Sequence, residues 1–119
     1  MKVQNYGHVE GTEVVPGVVR RIVAGPKEGA PTFVMRVFEI QPGSSIPSHE
    51  HQWEHELFVI RGDGVFRGGE KEVLIKAGDA VTVLPGEQHG FINTGKAALH
   101  IICVVPLIGG KMPDIPVKV

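Results

Sequence analysis

Three histidines stand close together in the stretch SHEHQWEHELF, residues 48–58, with Trp53 and glutamates between them. Neutral imidazole suits zinc, copper, iron and nickel, so His49, His51 and His55 are candidate ligands of a first-row transition metal. Side chains on an extended strand alternate between faces. His49 and His51 therefore share a face, and His51 and His55 share it if the chain stays extended across Trp53. Glu50, Glu54 and Glu56 then point the other way. A lone histidine is usually a surface or hydrogen-bonded residue, but three at same-face spacing outweigh that plainer reading. One strand cannot surround an ion, so a partner from elsewhere is needed. His89, in GDAVTVLPGEQHGFIN, follows the turn at Pro85-Gly86, opens a new strand run and shares a face with Phe91.

The elements that must hold these side chains are strands. Sixteen glycines and nine prolines fall at short intervals. Between them lie GVVRRIVAG, TFVMRVFEI, ELFVIRG, EVLIKAG, AVTVLPG and LHIICVVP, all of strand length and rich in β-branched and aromatic residues. No window sustains an i, i+3, i+4, i+7 apolar pattern free of Gly or Pro. The reading is an all-β sandwich or barrel formed by one domain over residues 1–119, without repeats or linkers. Its interior would receive the shared face of the histidines.

Composition narrows the function. Twelve Lys and Arg against thirteen Asp and Glu give a formal net charge of −1, and no basic run exceeds Arg20-Arg21. Neither nucleic acid nor a membrane is an expected partner. The N-terminus MKVQNYGHVEG has no apolar region of the secretory kind, and no segment has the apolar length to cross a bilayer. A cytoplasmic protein is expected. Its single cysteine, Cys103, precludes an intramolecular disulfide.

Other residues can be assigned to the cavity wall. Cys103 alternates with Ile101 and Val105 and is placed inward, either near the metal or as a small core residue. Arg36 shares a face with Val34 and Phe38; inward, it would bind a substrate anion, but a solvent-facing or snorkelling arginine is the preferred reading. Ile46, Val59, Phe91 and Ile101 would form an apolar wall. His8 and His100 have no same-face histidine and are left as ordinary. Trp53 is read as packing, with gating of the cavity mouth as the alternative. Gly62 and Gly86 are read as turn positions with positive φ.

The two segments resemble the paired motifs of the cupin superfamily, small jelly-roll barrels that hold a metal between facing strands. The first motif is G, five residues, H-x-H, three or four residues, E, six residues, G; Gly43, His49, His51 and Gly62 match it, and His55 occupies the glutamate position. The second is G, five residues, P-x-G, two residues, H, three residues, N; Gly78, Gly86, His89 and Asn93 match, and Leu84 replaces the first proline. The motifs span residues 43–62 and 78–93. HEHQWEHE is similar to a string in a manganese-binding subgroup of small bacterial cupins in which histidine replaces glutamate.

The resemblance implies a single-domain cupin jelly-roll β-barrel with one divalent transition metal per chain on His49, His51, His55 and His89. Mn(II) is favoured, and Fe(II), Ni(II), Zn(II), Cu(II) and Co(II) remain open. Four imidazoles bring no negative charge to the ion, which favours anionic ligands. The leading expectation is a dioxygenase-like oxidoreductase acting on a small chelating enolic or phenolic substrate. A redox-neutral isomerase or lyase and a non-catalytic ligand- or metal-binding module are the alternatives. The apolar stretches at residues 13–24 and 112–119 suggest a homodimer joined through terminal strands.

Overall fold

The structure is a computed structural model that describes residues 1–113. Ten strands follow in chain order: β1 Gly11–Val15, β2 Val18–Ala24, β3 Phe33–Ile40, β4 Ser45–His49, β5 His55–Arg61, β6 Asp63–Gly68, β7 Lys71–Lys76, β8 Ala80–Val83, β9 His89–Ile92 and β10 Leu99–Pro106. They form two antiparallel sheets, ordered β1-β2-β3-β10-β5-β8 and β4-β9-β6-β7. This is the expected all-β jelly roll. Two short 3-10 turns, Tyr6–His8 and Pro26–Glu28, are the only helical segments among the described residues. None is long and apolar enough to cross a membrane.

The apolar runs form strands because alternate residues find an interior. Along β10 the burial alternates strictly, with Leu99, Ile101, Cys103 and Val105 inside. Val34, Phe38 and Ile40 of β3 and Leu57 and Val59 of β5 join them, and Ile46, Ile75 and Phe91 belong to the same core from the smaller sheet. Each such side chain contributes about 1.5–3 kcal/mol when fully removed from water. Val15 and Val18 of the β1-β2 hairpin are also in this core, and Val14, Ile22 and Met112 pack against it. Part of the apolar character of residues 13–24 is thus used within the chain itself. The tail beyond Pro113 lies outside the described residues.

Turns close where glycine is required. Gly62, between β5 and β6, has φ +89°, and a Cβ there would stand 2.8 Å from the Ala98 carbonyl oxygen. Gly86 likewise has a positive φ of +81°. One expectation fails: residues 50–54 are not extended. β4 belongs to the small sheet and β5 to the large one, so the chain must turn a corner between them. The three histidines of this stretch meet at that corner.

Candidate metal centre

His49 and His89 are brought together by pairing, for they are partners in the β4–β9 ladder. The register shifts between Ile46 and His49, and this irregularity lets two residues of opposite strand parity line one cavity. The two strands approach closely here. A Cβ on Gly90 would sit 2.8 Å from the Ile46 carbonyl oxygen and 3.0 Å from the Ser48 nitrogen, so only glycine fits beside His89. His51 sits on the corner loop, where its carbonyl accepts from Gly86 N at 2.8 Å. The turn of the second motif thereby fixes a histidine of the first. His55 opens β5 and points inward. Glu50, Glu54 and Glu56 are all exposed.

Ring centroids of neighbouring histidines lie 4.3 Å apart for His49 and His89, 4.8 Å for His51 and both His55 and His89, and 4.5 Å for His55 and His89. One nitrogen from each of His49, His51 and His89 lies within 4.8 Å of the others, an arrangement able to hold a metal ion. Metal–nitrogen bonds of about 2.1 Å at right angles require nitrogens about 3 Å apart, so the trio would close slightly around an ion. His55 Nε2 is 2.9 Å from His89 Nε2.

The hydrogen bonds assign the protons. Nδ1 of His49 faces the Pro47 carbonyl at 2.9 Å, Nδ1 of His51 the Trp53 carbonyl at 2.7 Å, and Nδ1 of His89 the Glu87 carbonyl at 2.8 Å. A carbonyl only accepts, so each Nδ1 carries the proton and each Nε2 presents a lone pair to the cluster. This is the usual outer support of a metal-ligating histidine. His49 Nε2 is buried without a partner. Such an orphaned acceptor is what an ion would satisfy, and the donor set fits a divalent transition metal. His55 differs, since its Nδ1 lies 3.1 Å from Cys103 Sγ. In the His55–His89 hydrogen bond the shared proton belongs to His55, whose Nδ1 then accepts from the thiol.

Electrostatics keep His51, His55 and His89 neutral. Burial, reinforced by the charges of His89, His51 and Arg36, pushes His55 down to about 2. Burial also lowers His89, to about 4, against the raising effect of the Glu87 carbonyl. His51 is lowered chiefly by burial as well. Neutral imidazole is the ligating form. Burial raises the Cys103 thiol, and Arg36 opposes that rise.

Next to the cluster lies a cavity lined by Arg36, Phe38, Ile40, Ile46, His49, His55, Leu57, Phe91, Ile101 and Cys103. Two placements correct the sequence reading. Arg36 is inside and 1% exposed, because the parity it shares with Val34 and Phe38 faces the core. Val59 is buried but does not line the cavity. It lies four residues, about 13 Å, along β5 from His55, and Leu57 takes the place beside the histidine. Ile40 and Leu57 were missed, although the same alternation that points to Phe38 and Cys103 points to them. Trp53 packs against the core and stacks on His51 with centroids 4.3 Å apart and an interplanar angle of 1°. His100 stands apart from the cluster, 3.3 Å from the Tyr6 hydroxyl, and His8 is exposed.

A two-sheet jelly roll with histidines converging between its strands defines a metal-binding cupin, and comparison with known proteins agrees. The cupin domain family matches residues 36–105, more than half of the chain, and the protein belongs to that family. The chain is 39% identical over 71 residues to an oxalate-binding protein of Thermotoga maritima, a match covering 59% of each. It is 26% identical to the tetracenomycin polyketide synthase protein TcmJ of Streptomyces glaucescens, over 72% of this chain and 58% of that one. The chain thus spans less than two thirds of the length of these curated relatives. Among solved structures, the polyketide cyclase RemF of Streptomyces resistomycificus superposes with a TM-score of 0.84 at 28% identity, covering 89% of this chain and 79% of that one.

Proposed function

We propose that this cupin holds one divalent transition ion through Nε2 of His49, His51, His55 and His89, with manganese the favoured metal, and is an enzyme acting on a small chelating substrate. The observation that carries the reading is the pattern of ring protons: three Nδ1 atoms are committed to carbonyls, and an orphaned Nε2 is left inside the cluster. His55 completes the set when its proton moves from Nε2 to Nδ1, where Cys103 Sγ can accept it. A bound ion would supply Lewis acidity and, as manganese or iron, one-electron chemistry.

The chain's own residues define the rest. The histidines bring no negative charge, and the nearby glutamates are on the outside, so the substrate's acidic oxygen must arrive ionised or lose its proton on binding. Ile46, Phe91 and Ile101 exclude water from the reacting group. An enolic, phenolic or carboxylic substrate fits this setting, and dioxygenase-type oxidation is the leading reaction. A redox-neutral reaction is the second reading, supported by the similarity to the polyketide cyclase. Simple ligand binding is supported by the similarity to the oxalate-binding protein.

Expression with controlled metals, elemental analysis and an oxygen-electrode screen of catechols, flavonols and small carboxylates test the proposal. Oxygen uptake supports the oxygenase, conversion without uptake the redox-neutral enzyme, and tight binding without turnover the binding module. Failure to retain any divalent metal overturns both enzyme readings and leaves only metal-free ligand binding. We also place a second copy of the chain against the outer face of the large sheet. Phe33, Met35 and Phe58 are 61%, 41% and 46% exposed there. Pairing sets Met35 beside Val104 and Phe58 beside Ile102. Light scattering that finds a monomer at micromolar concentration removes this part.

A further inference from the structure

Arg36 is a cation in the wrong place for an ordinary core. It is almost fully buried, and arginine cannot escape that cost by losing its proton. Its backbone pairs with Cys103 across β3 and β10. Nη2 donates to Cys103 Sγ at 3.0 Å, and Cζ lies over the Phe38 ring at 5.2 Å. These contacts anchor the guanidinium and leave work undone: Nε and Nη1 are buried with no hydrogen-bond partner. No Asp or Glu is buried among the described residues. Nothing fixed inside the barrel therefore answers the charge, and a buried charge is ordinarily paired.

Arg36 shares its cavity with His49 and His55, and its charge helps to hold His51 and His55 neutral. The cavity has a volume of about 20 Å³, room for little more than one water-sized group, so a larger ligand enters by moving the walls. With a divalent ion on the histidines, the enclosure would carry three positive charges and no fixed negative one. Apolar walls strengthen any pairing made there.

We infer that Arg36 is an anion-binding residue and that the ligand of this cavity is a small dianion, one oxyanion held by the free guanidinium N–H groups and the other turned toward the histidine cluster. The second half of this statement rests on the metal reading above; the first half does not. It sets the substrate class as a compact dicarboxylate or a carboxylate with a second ionised oxygen.

Oxalate, the smallest dicarboxylate, is the probe, with oxamide as its neutral counterpart and acetate as a monoanion. Isothermal titration is run on zinc-loaded and metal-free protein, wild type and Arg36→Met, a change that keeps the volume and removes the charge. The loaded wild type should bind oxalate at least about 100-fold more tightly than oxamide. Arg36→Met should keep its zinc by elemental analysis and lose about 10–100-fold in oxalate affinity, the range for charge-assisted hydrogen bonds. Metal-free wild type should retain weak acetate binding that the variant lacks.

Equal oxalate affinity in the two proteins, or no oxalate binding by either form of the wild type, overturns the inference. Loss of zinc from the variant also overturns it, because Arg36 would then serve the histidines through Cys103. If the wild type takes up no metal yet binds acetate through Arg36, the metal reading fails and the anion site stands. Should the variant not fold, nitrogen-15 spectra of wild-type arginine side chains decide. A buried Nε–H signal that moves with oxalate and not with oxamide supports the site; one indifferent to both removes it.

Discussion

Strand β9 carries buried polar residues at both ends, and they have opposite characters. Just past its C-terminal end, Asn93 has every side-chain group engaged. Nδ2 donates to the carbonyls of Ile40 at 2.7 Å and Ala97 at 2.9 Å, and Oδ1 accepts from Gly95 N at 2.9 Å. At the other end His89 belongs to a cluster in which His49 Nε2, with Arg36 Nε and Nη1 close by, has no partner. Both ends match one motif and both are about 1% exposed. Satisfaction separates them. A buried group whose valences are all met within the chain is part of the scaffold, while one left open is a site for something the chain does not contain.

The comparison breaks most visibly at the open end. Replacing His49, His51, His55 or His89 by Ala should lower metal affinity by at least about 100-fold, exceeding the 10–100-fold typical of outer-shell changes. Metal-free stability should fall in His55→Ala and His89→Ala, which lose the hydrogen bond between their Nε2 atoms, and change least in His49→Ala, whose Nε2 has no partner. Metal titration and thermal unfolding of the same samples measure both. Unchanged metal affinity in His55→Ala reduces the set to His49, His51 and His89.

At the closed end the effects should reverse. Asn93→Ala removes three hydrogen bonds and strands two carbonyls and an amide, a cost of about 2–4 kcal/mol in unfolding free energy. Metal affinity should stay within about threefold. Denaturant unfolding and metal titration again separate the two properties, and a large metal defect with normal stability would refute the division.

How this division could be read in advance differs for its two halves. Spacing placed His49, His51, His55 and His89 together even though the chain is not extended between His51 and His55. The corner replaces the strand without changing which residues face inward. The strands β2, β3, β5, β7, β8 and β10 follow from apolar runs, although β7 buries only Ile75 and leaves Val73 and Leu74 exposed. β6 does not: its sequence DGVFRG carries turn residues at both ends, and Gly64 is needed because a Cβ would stand 2.6 Å from the Ile92 carbonyl oxygen. Arg36 was legible in parity but not in type. A charge on a strand ordinarily faces water, and only the partner atoms of the folded chain reveal that this one is enclosed and open. Satisfaction itself is invisible in a sequence, since it depends on groups distant along the chain such as Ile40 and Asn93.

Acid should act on the open end first. The neutral forms of His55 and His89 are held at about 2 and about 4, below the 6.5 of the unfolded chain. Below pH 6.5 the unfolded state binds protons that the folded state refuses, so their contribution to stability is complete above 6.5 and declines as pH falls. The slope approaches about 1.4 kcal/mol per pH unit for each histidine, shared by both down to about pH 4 and left to His55 below it. Metal-free unfolding measured from pH 7 to pH 4 should show this loss, and His55→Gln should flatten it. A bound metal competes with the same protons, so metal release should follow the same direction.

The smallest effect concerns Trp53, which supports His51 in two separable ways. Its backbone carbonyl accepts from His51 Nδ1, fixing which nitrogen carries the proton. Its ring lies parallel against the imidazole, fixing orientation and covering one face. Substitution to Phe keeps the carbonyl and a smaller stack, and Ala keeps the carbonyl alone. Aromatic pairs are worth about 0.5–1.5 kcal/mol beyond the area they bury. Trp53→Phe should therefore leave metal affinity within about threefold, and Trp53→Ala should lower it by no more than about tenfold. Both losses should remain below that of His51→Ala in a competitive metal titration. A loss in Trp53→Ala as large as that of His51→Ala would mean that the ring holds the whole corner in place and that the open end depends on packing as much as on its ligands. Altered metal release rates with unchanged affinity would instead give Trp53 a gating role at the cavity mouth, since a gate changes both directions of exchange equally.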